Sequence, residues 1–168
     1  KKKFKAKYGY ELAPPQTWKQ WDDQAEFFHG WGWDGTDRKL FGAGASYKGN
    51  NYSYYWWRPR FFSYGGQYFD AQMKPLINGP AGLRALEEMV KTIQYYPPGV
   101  MLFESEEPKT MLIKGEVPFL FSWTSTGKRV GNPKESEIVG KAGCGIVPGA
   151  EIDGQGRRID LSMLEAMG

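Results

Sequence analysis

The sequence holds one cysteine, Cys144, and one histidine, His29, in 168 residues. A single thiol excludes an intrachain disulfide and with it the disulfide-stapled secreted scaffolds; it is compatible with cytoplasm or periplasm. A single imidazole speaks against a histidine-based metal centre or catalytic dyad. No apolar run approaches the roughly 20 residues that span a bilayer. The N-terminus has Lys1, Lys2, Lys3, Lys5 and Lys7 but no apolar stretch behind them, so no signal peptide is expected within this sequence. That basic run reads as a solvated end. Elsewhere 22 Lys and Arg nearly balance 19 Asp and Glu, so nucleic-acid binding, which needs clustered cations, is not expected. Val, Ile, Leu and Phe together make up only about a fifth of the chain, the lower edge for a globular protein.

Aromatic rings are abundant instead: 7 Trp, 10 Tyr and 10 Phe, 16% of the chain. Each buries a large area, so a core can be built from them. The excess of Tyr and Trp, with their polar handles, also suits a surface that grips a ring-shaped or amphipathic ligand. A formal net charge of +3 argues against disorder, and the length suggests one domain.

Pro14-Pro15 bars an early helix, and Thr17-Trp18-Lys19-Gln20 fits a capping box. Trp18, Trp21, Ala25 and Phe28 then share a helical face that closes at Gly30 and Gly32. Residues 30–37 read as a loop and 38–48 as a strand with tight glycine contacts. Asn50-Asn51 offers an N-cap for a helix over 52–64, which Pro59 should kink or divide. Gly65-Gly66 stops it, and 67–77 form a short extended piece. Asn78-Gly79-Pro80 opens a further helix, with proline at the first helical position and Leu83, Leu86, Val90 and Ile93 on one apolar face. Glu87 and Lys91 form an exposed i,i+4 pair, and Pro97-Pro98-Gly99 ends that segment. Ser105 caps another helix, Glu106 and Glu107 complement its positive end, and Lys114-Gly115 closes it. Residues 117–122 read as a buried strand, 125–130 as a short helix and 144–147 as a last strand. Helices alternating with strands indicate an α/β fold. Residues 1–150 form the patterned unit; in the tail, 151–168, only Leu161 and Leu164 hint at a helical turn.

Most reactive groups have plain explanations. Asp34 and Asp37 lack the further oxygen ligands of a calcium loop and read as a solvated turn. Glu104, Glu106 and Glu107 answer a helix dipole, His29 a helix end, and Cys144 a buried strand. Gly42-Ala43-Gly44 is not followed by the Lys and Ser/Thr of a phosphate loop. No nucleophile–base pair, metal cluster or phosphate cradle emerges, so no enzyme, metal or cofactor is expected.

Two stretches stand out. In the run from Tyr52 to Phe62, Phe61 and Phe62 are expected inside, while Trp56 and Trp57 cannot both face inward. Rings exposed beside Arg58 or Arg60 could stack on the apolar C–H faces of a sugar, with a guanidinium fork for its hydroxyls. Plain aromatic core is the alternative reading for each of these rings. In Phe121-Ser122-Trp123-Thr124-Ser125-Thr126, an apolar strand ends in a polar loop bearing a Trp. Ligands of α/β proteins bind beyond strand ends, and such a loop suits a neutral, hydroxylated one.

The order of pieces carries a resemblance. Pro15-Gln16-Thr17-Trp18, Phe62-Ser63-Tyr64-Gly65-Gly66, Asn78-Gly79-Pro80-Ala81-Gly82, Ile113-Lys114-Gly115-Glu116-Val117-Pro118 leading into Phe121-Ser122-Trp123, and Val147-Pro148-Gly149 follow one another. As an ordered set over residues 4–150, this resembles family 1 of the extracellular solute-binding proteins of ABC importers, the maltodextrin-binding class. Val117-Pro118 stands where that family usually has an Ala-Met pair. The resemblance implies most of the second lobe of a two-lobe protein of periplasmic-binding-protein type II, a mixed sheet flanked by helices. It implies a periplasmic or extracellular protein that works with ABC permease membrane subunits. It also implies a sugar cleft lined by the aromatic helix and by the Trp after the Gly-Glu-Val-Pro segment.

The resulting expectation is a substrate-binding component for a carbohydrate or polyol. Its candidate contacts are Tyr55, Trp56, Trp57, Arg60, Gly65, Gly66, Ser122, Trp123 and Ser125. One rival is a glycoside hydrolase, for which Asp70 and Glu104 are the one pair to entertain. Another is an aromatic-rich interaction module. Self-association of the isolated lobe is a further expectation.

Overall fold

The computed structural model of the chain describes residues 1–49 and 51–151. The proposed cap Asn50, and Leu161 and Leu164 of the tail, lie outside the described residues.

Thr17 starts the framework helix α2 (Trp18–Phe28) as its pattern predicts, its hydroxyl accepting the Gln20 amide at 3.2 Å. The Gln20 side chain reaches back to the Gln16 amide at 2.8 Å, one residue before the cap, so a free donor is satisfied on each side. Trp18, Trp21 and Ala25 are buried. The Trp21 indole donates to Tyr96 Oη at 3.1 Å and the Trp18 indole to Ser63 Oγ at 3.0 Å, so both rings are sealed without an unmet polar group. His29 caps the far end, its N–H on the Ala25 carbonyl and its Nδ1 3.0 Å from the Tyr95 carbonyl oxygen.

An earlier helix does exist. The lysine run forms α1 (Lys2–Tyr8), because Phe4 is fully buried against Phe27 and Tyr10 at centroid distances of 5.1 Å. The lysines are solvated as expected, but one apolar residue among them is enough to dock the turn.

Helix α3 (Asn51–Ser63) runs unbroken through Pro59, contrary to the expected division. Its end is set by Gly65, whose φ of +77° is costly for a side-chain-bearing residue and whose N–H meets the Phe62 carbonyl at 2.9 Å. Beyond it, 67–77 turn back on themselves through a Phe69–Pro75 bridge.

Helix α4 (Pro80–Thr92) has its proline at the first turn as expected, but its buried face is Gly82, Ala85, Met89 and Thr92. Leu83, Leu86 and Val90 point to solvent, 55%, 51% and 60% exposed. The reason is close packing on α3. The Trp57 indole donates to the Gly82 carbonyl at 3.0 Å, and a side chain at Gly82 would meet the Ile77 carbonyl oxygen at 1.8 Å. Small residues face the neighbouring helix, so the large ones are turned outward. The charge pair on this helix joins Arg84 to Glu88 at 3.3 Å.

Helix α5 (Glu106–Ile113) carries Glu106 and Glu107 in its first turn. Ser105 makes no side-chain cap bond; the Glu107 carboxylate takes the Glu104 amide instead, at 3.0 Å. Helix α6 (Ser125–Val130) has the expected bounds.

The expected strands are a correction. Among the described residues no strand of regular length forms. The segments at 38–48 and 117–122 run extended and meet at a single parallel bridge, Gly44 with Leu120, while Thr17 bridges Gly149. Pro118 and Pro148 remove backbone donors where a ladder would continue. Cys144 is likewise exposed, not buried in a strand. The core is aromatic: Trp18, Trp21, Tyr47, Trp56 and Tyr96, with Ala25, Ala43, Ala45, Met89 and Val100.

Candidate functional site

Consecutive helical residues differ by about 100° in direction, and α3 separates its rings accordingly. Trp56 is 3% exposed and locked edge-to-face against Trp21, Tyr47 and Phe121 at 5.2–5.8 Å. It is a core ring and cannot meet a ligand from solvent. Arg60 is also withdrawn from the site: it is fully buried, stacked 4.0 Å from the Trp18 ring, with Nη1 donating to the Trp56 carbonyl at 3.1 Å. An interior guanidinium cannot orient a ligand hydroxyl at the surface. Trp57 turns to a different place. It stacks on Phe61 at 4.4 Å and, with Tyr54, Ile77, Leu83 and Leu86, lines an apolar groove of about 450 Å³ beside α4.

Tyr55 is the ring of this helix that meets the loop after Phe121. Its centroid lies 5.8 Å from Trp123, with the planes at 82°. Trp123 is 38% exposed and Tyr55 half-buried, so the pair presents a floor and a wall to solvent. Charged groups surround it. The Lys109 ammonium lies 5.4 Å from the Trp123 ring centroid, and the Arg58 guanidinium 6.0 Å from that of Tyr55, both within cation–π range. Lys109 is held by Glu106 at 2.8 Å, and Glu106 also accepts from Arg129 at 2.8 Å. These bonds hold the Glu106 carboxyl below its usual pKa, the Lys109 contact acting most strongly.

The loop hydroxyls divide. Ser122 Oγ is paired with Thr126 Oγ1 at 2.8 Å, whereas Ser125 is exposed. Gly65 and Gly66 have a helix-ending role: the N–H of Gly66 bonds the Phe61 carbonyl at 2.9 Å, and a side chain there would strike the Phe61 ring. The structure thus joins Tyr55 to Trp123, with Ser122 and Ser125 in the adjoining loop, and separates Trp56, Arg60 and Trp57 from them. Lys109 and Glu106 were not singled out as ligand contacts; their place beside Trp123 depends on how α5 meets a loop ten residues later, which spacing does not reveal.

The hydrolase pair has local duties. Asp70 Oδ1 accepts the amides of Gln72 and Lys74, both at 2.9 Å, and Glu104 is paired with Lys48. No group of three or more His, Cys, Asp or Glu placed to hold a metal occurs among the described residues.

The sequence profile of the bacterial extracellular solute-binding proteins matches residues 1–156. The chain belongs to that family. Its fold is similar to that of a solute-binding protein of Agrobacterium radiobacter K84 solved with ribitol, with a TM-score of 0.72 and 19% identity over 89% of this chain and 36% of the other. It is also similar to the maltose-bound MalE3 of T. maritima, with a TM-score of 0.68 and 27% identity over 94% of this chain and 38% of the other. These likenesses identify the fold as the periplasmic-binding-protein type II fold. A curated relative from Sinorhizobium fredii (strain NBRC 101917 / NGR234), named a probable amino-acid ABC transporter periplasmic-binding protein, y4oP, is 30% identical over 99 residues, 58% of this chain and 23% of its own length. The chain therefore spans about a quarter of that relative and little more than a third of the solved structures.

Proposed function

We propose that this chain is the second lobe of the substrate-binding component of an ABC importer, and that it holds a carbohydrate or polyol against Tyr55 and Trp123. The observation that carries the proposal is the open right-angled pair these rings make, each supplied by a different element. Flat rings attract the C–H face of a sugar, and the exposed Ser125 beside them offers a hydroxyl to its edge. The structures with bound ribitol and maltose support the same ligand class. In this reading residues 1–150 are the lobe and 151–168 begin a further segment. The extended segments at 38–48 and 117–122 contribute to a mixed sheet completed in the intact protein. The protein works outside the cytoplasmic membrane, closes a first lobe over the ligand by hinge motion, and is then engaged by permease subunits. It performs no catalysis.

Calorimetry on the protein encoded by the whole reading frame tests this, with a panel of sugars, polyols and oligosaccharides and, because of the curated relative's name, amino acids. Heat with a sugar or polyol supports the proposal. Heat with amino acids alone replaces its ligand class. A second reading, an interaction module, has the exposed stripe Leu83, Leu86 and Val90 in its favour, with a second copy of this chain as the partner. Sedimentation of the isolated chain as a monomer across a wide concentration range excludes it.

A further inference from the structure

We infer that Glu106 makes the site around Trp123 selective for uncharged ligands, by engaging Lys109, the cation that lies over that ring, together with Arg129. The inference rests on the proposal that Tyr55 and Trp123 are the ligand platform and adds what selects the ligand's charge.

Lys109 and Arg129 could each bind a sugar carboxylate. Lys109 lies 5.4 Å from the Trp123 ring centroid, and its side chain is only 11% exposed. A guanidinium such as Arg129 is the usual partner of a carboxylate. Both, however, converge on one acid. Glu106 Oε1 takes the Lys109 ammonium at 2.8 Å, and Glu106 Oε2 takes Arg129 Nη1 at 2.8 Å. Arg129 Nε is occupied in turn by Glu135 at 3.1 Å. Two cations and two carboxylates leave this network with no net charge. An anionic ligand would have to displace Glu106 from both partners and then face its carboxylate. A neutral polyol needs neither, and Trp123 is 38% exposed. Glu106 is therefore a specificity-determining residue: it repels the wrong ligand while holding Lys109 over the ring.

The test uses Glu106→Gln, which preserves shape and removes the charge. Calorimetry compares D-glucose and D-mannitol with D-glucuronate on the wild type and the variant. The expected result is a preference for neutral ligands in the wild type and a shift of roughly tenfold toward glucuronate in the variant. A wild type that binds glucuronate as tightly as glucose overturns the inference, as does an unchanged ratio. A second readout needs no sugar. The fluorescence of Trp123, isolated by subtracting a Trp123→Phe background, is quenched with iodide and with caesium. In Glu106→Gln iodide quenching rises about twofold and caesium quenching falls, and in Arg129→Gln the change reverses; equal quenching in all three proteins overturns the inference. Should no sugar or polyol bind while the iodide contrast appears, the carbohydrate reading fails and the charge assignment stands.

Discussion

Two neighbouring residues of one helix, Trp56 and Tyr55, have opposite fates. Trp56 is enclosed by Trp21, Tyr47 and Phe121, whereas Tyr55 meets Trp123 at the edge of the protein among charged side chains. Composition cannot explain the difference, since both sites are aromatic. What separates them is the company each ring keeps. In the enclosed group the indoles of Trp18 and Trp21 are satisfied internally, by Ser63 and Tyr96. The open group leaves ring surface to solvent. The lesson is that an aromatic run marks a helix with work on more than one side, and only its packing assigns the sides.

The contrast can be broken most forcefully from the enclosed side. Trp56→Ala is expected to cost about 3–5 kcal/mol of folding free energy, read as a lower midpoint in urea unfolding.

The next effect concerns a carboxyl at the rim of the core. Burial raises Asp22 from 3.8 to about 7, with Arg60 opposing the shift. The folded state therefore binds this proton more tightly than the unfolded chain. Its contribution to stability is complete below pH 3.8 and is lost as pH rises through 7. Between pH 5 and pH 8 the protein should lose about 3 kcal/mol from this group, and Asp22→Asn should flatten that slope in unfolding curves taken across the range.

A smaller effect sharpens the comparison from outside. Leu86→Lys, on the exposed stripe of α4, should leave the unfolding free energy within about 0.5 kcal/mol of the wild type. A loss as large as that of Trp56→Ala would place Leu86 in a core after all.

Much of the framework was legible. Thr17, Pro80 and Gly65 mark helix boundaries because caps, N-terminal proline and left-handed glycine act through the local chain. The ordered motifs identified the family. Longer-range matters were hidden. The stripe of Leu83, Leu86 and Val90 has core periodicity, yet Gly82 and Ala85 take the contact because small residues let α3 approach. Phe4 turned a lysine run into a helix through rings 6 and 23 residues away. Strands were expected where only isolated bridges occur, since an apolar run does not disclose whether a distant segment pairs with it over more than one residue. At the site, Tyr55 and Trp123 were both among the candidates. Arg60 was expected at the surface because arginine usually is, and nothing local shows that it stacks on Trp18.

The platform itself is tested by one titration: the sugar or polyol that binds the wild type most tightly, measured by calorimetry against Trp123→Ala in the complete protein. Affinity should fall at least tenfold, consistent with losing about 1.4 kcal/mol or more of ring contact, while the protein stays folded and loses less unfolding free energy than Trp56→Ala. Equal affinity in the two proteins would mean that the ligand rests elsewhere.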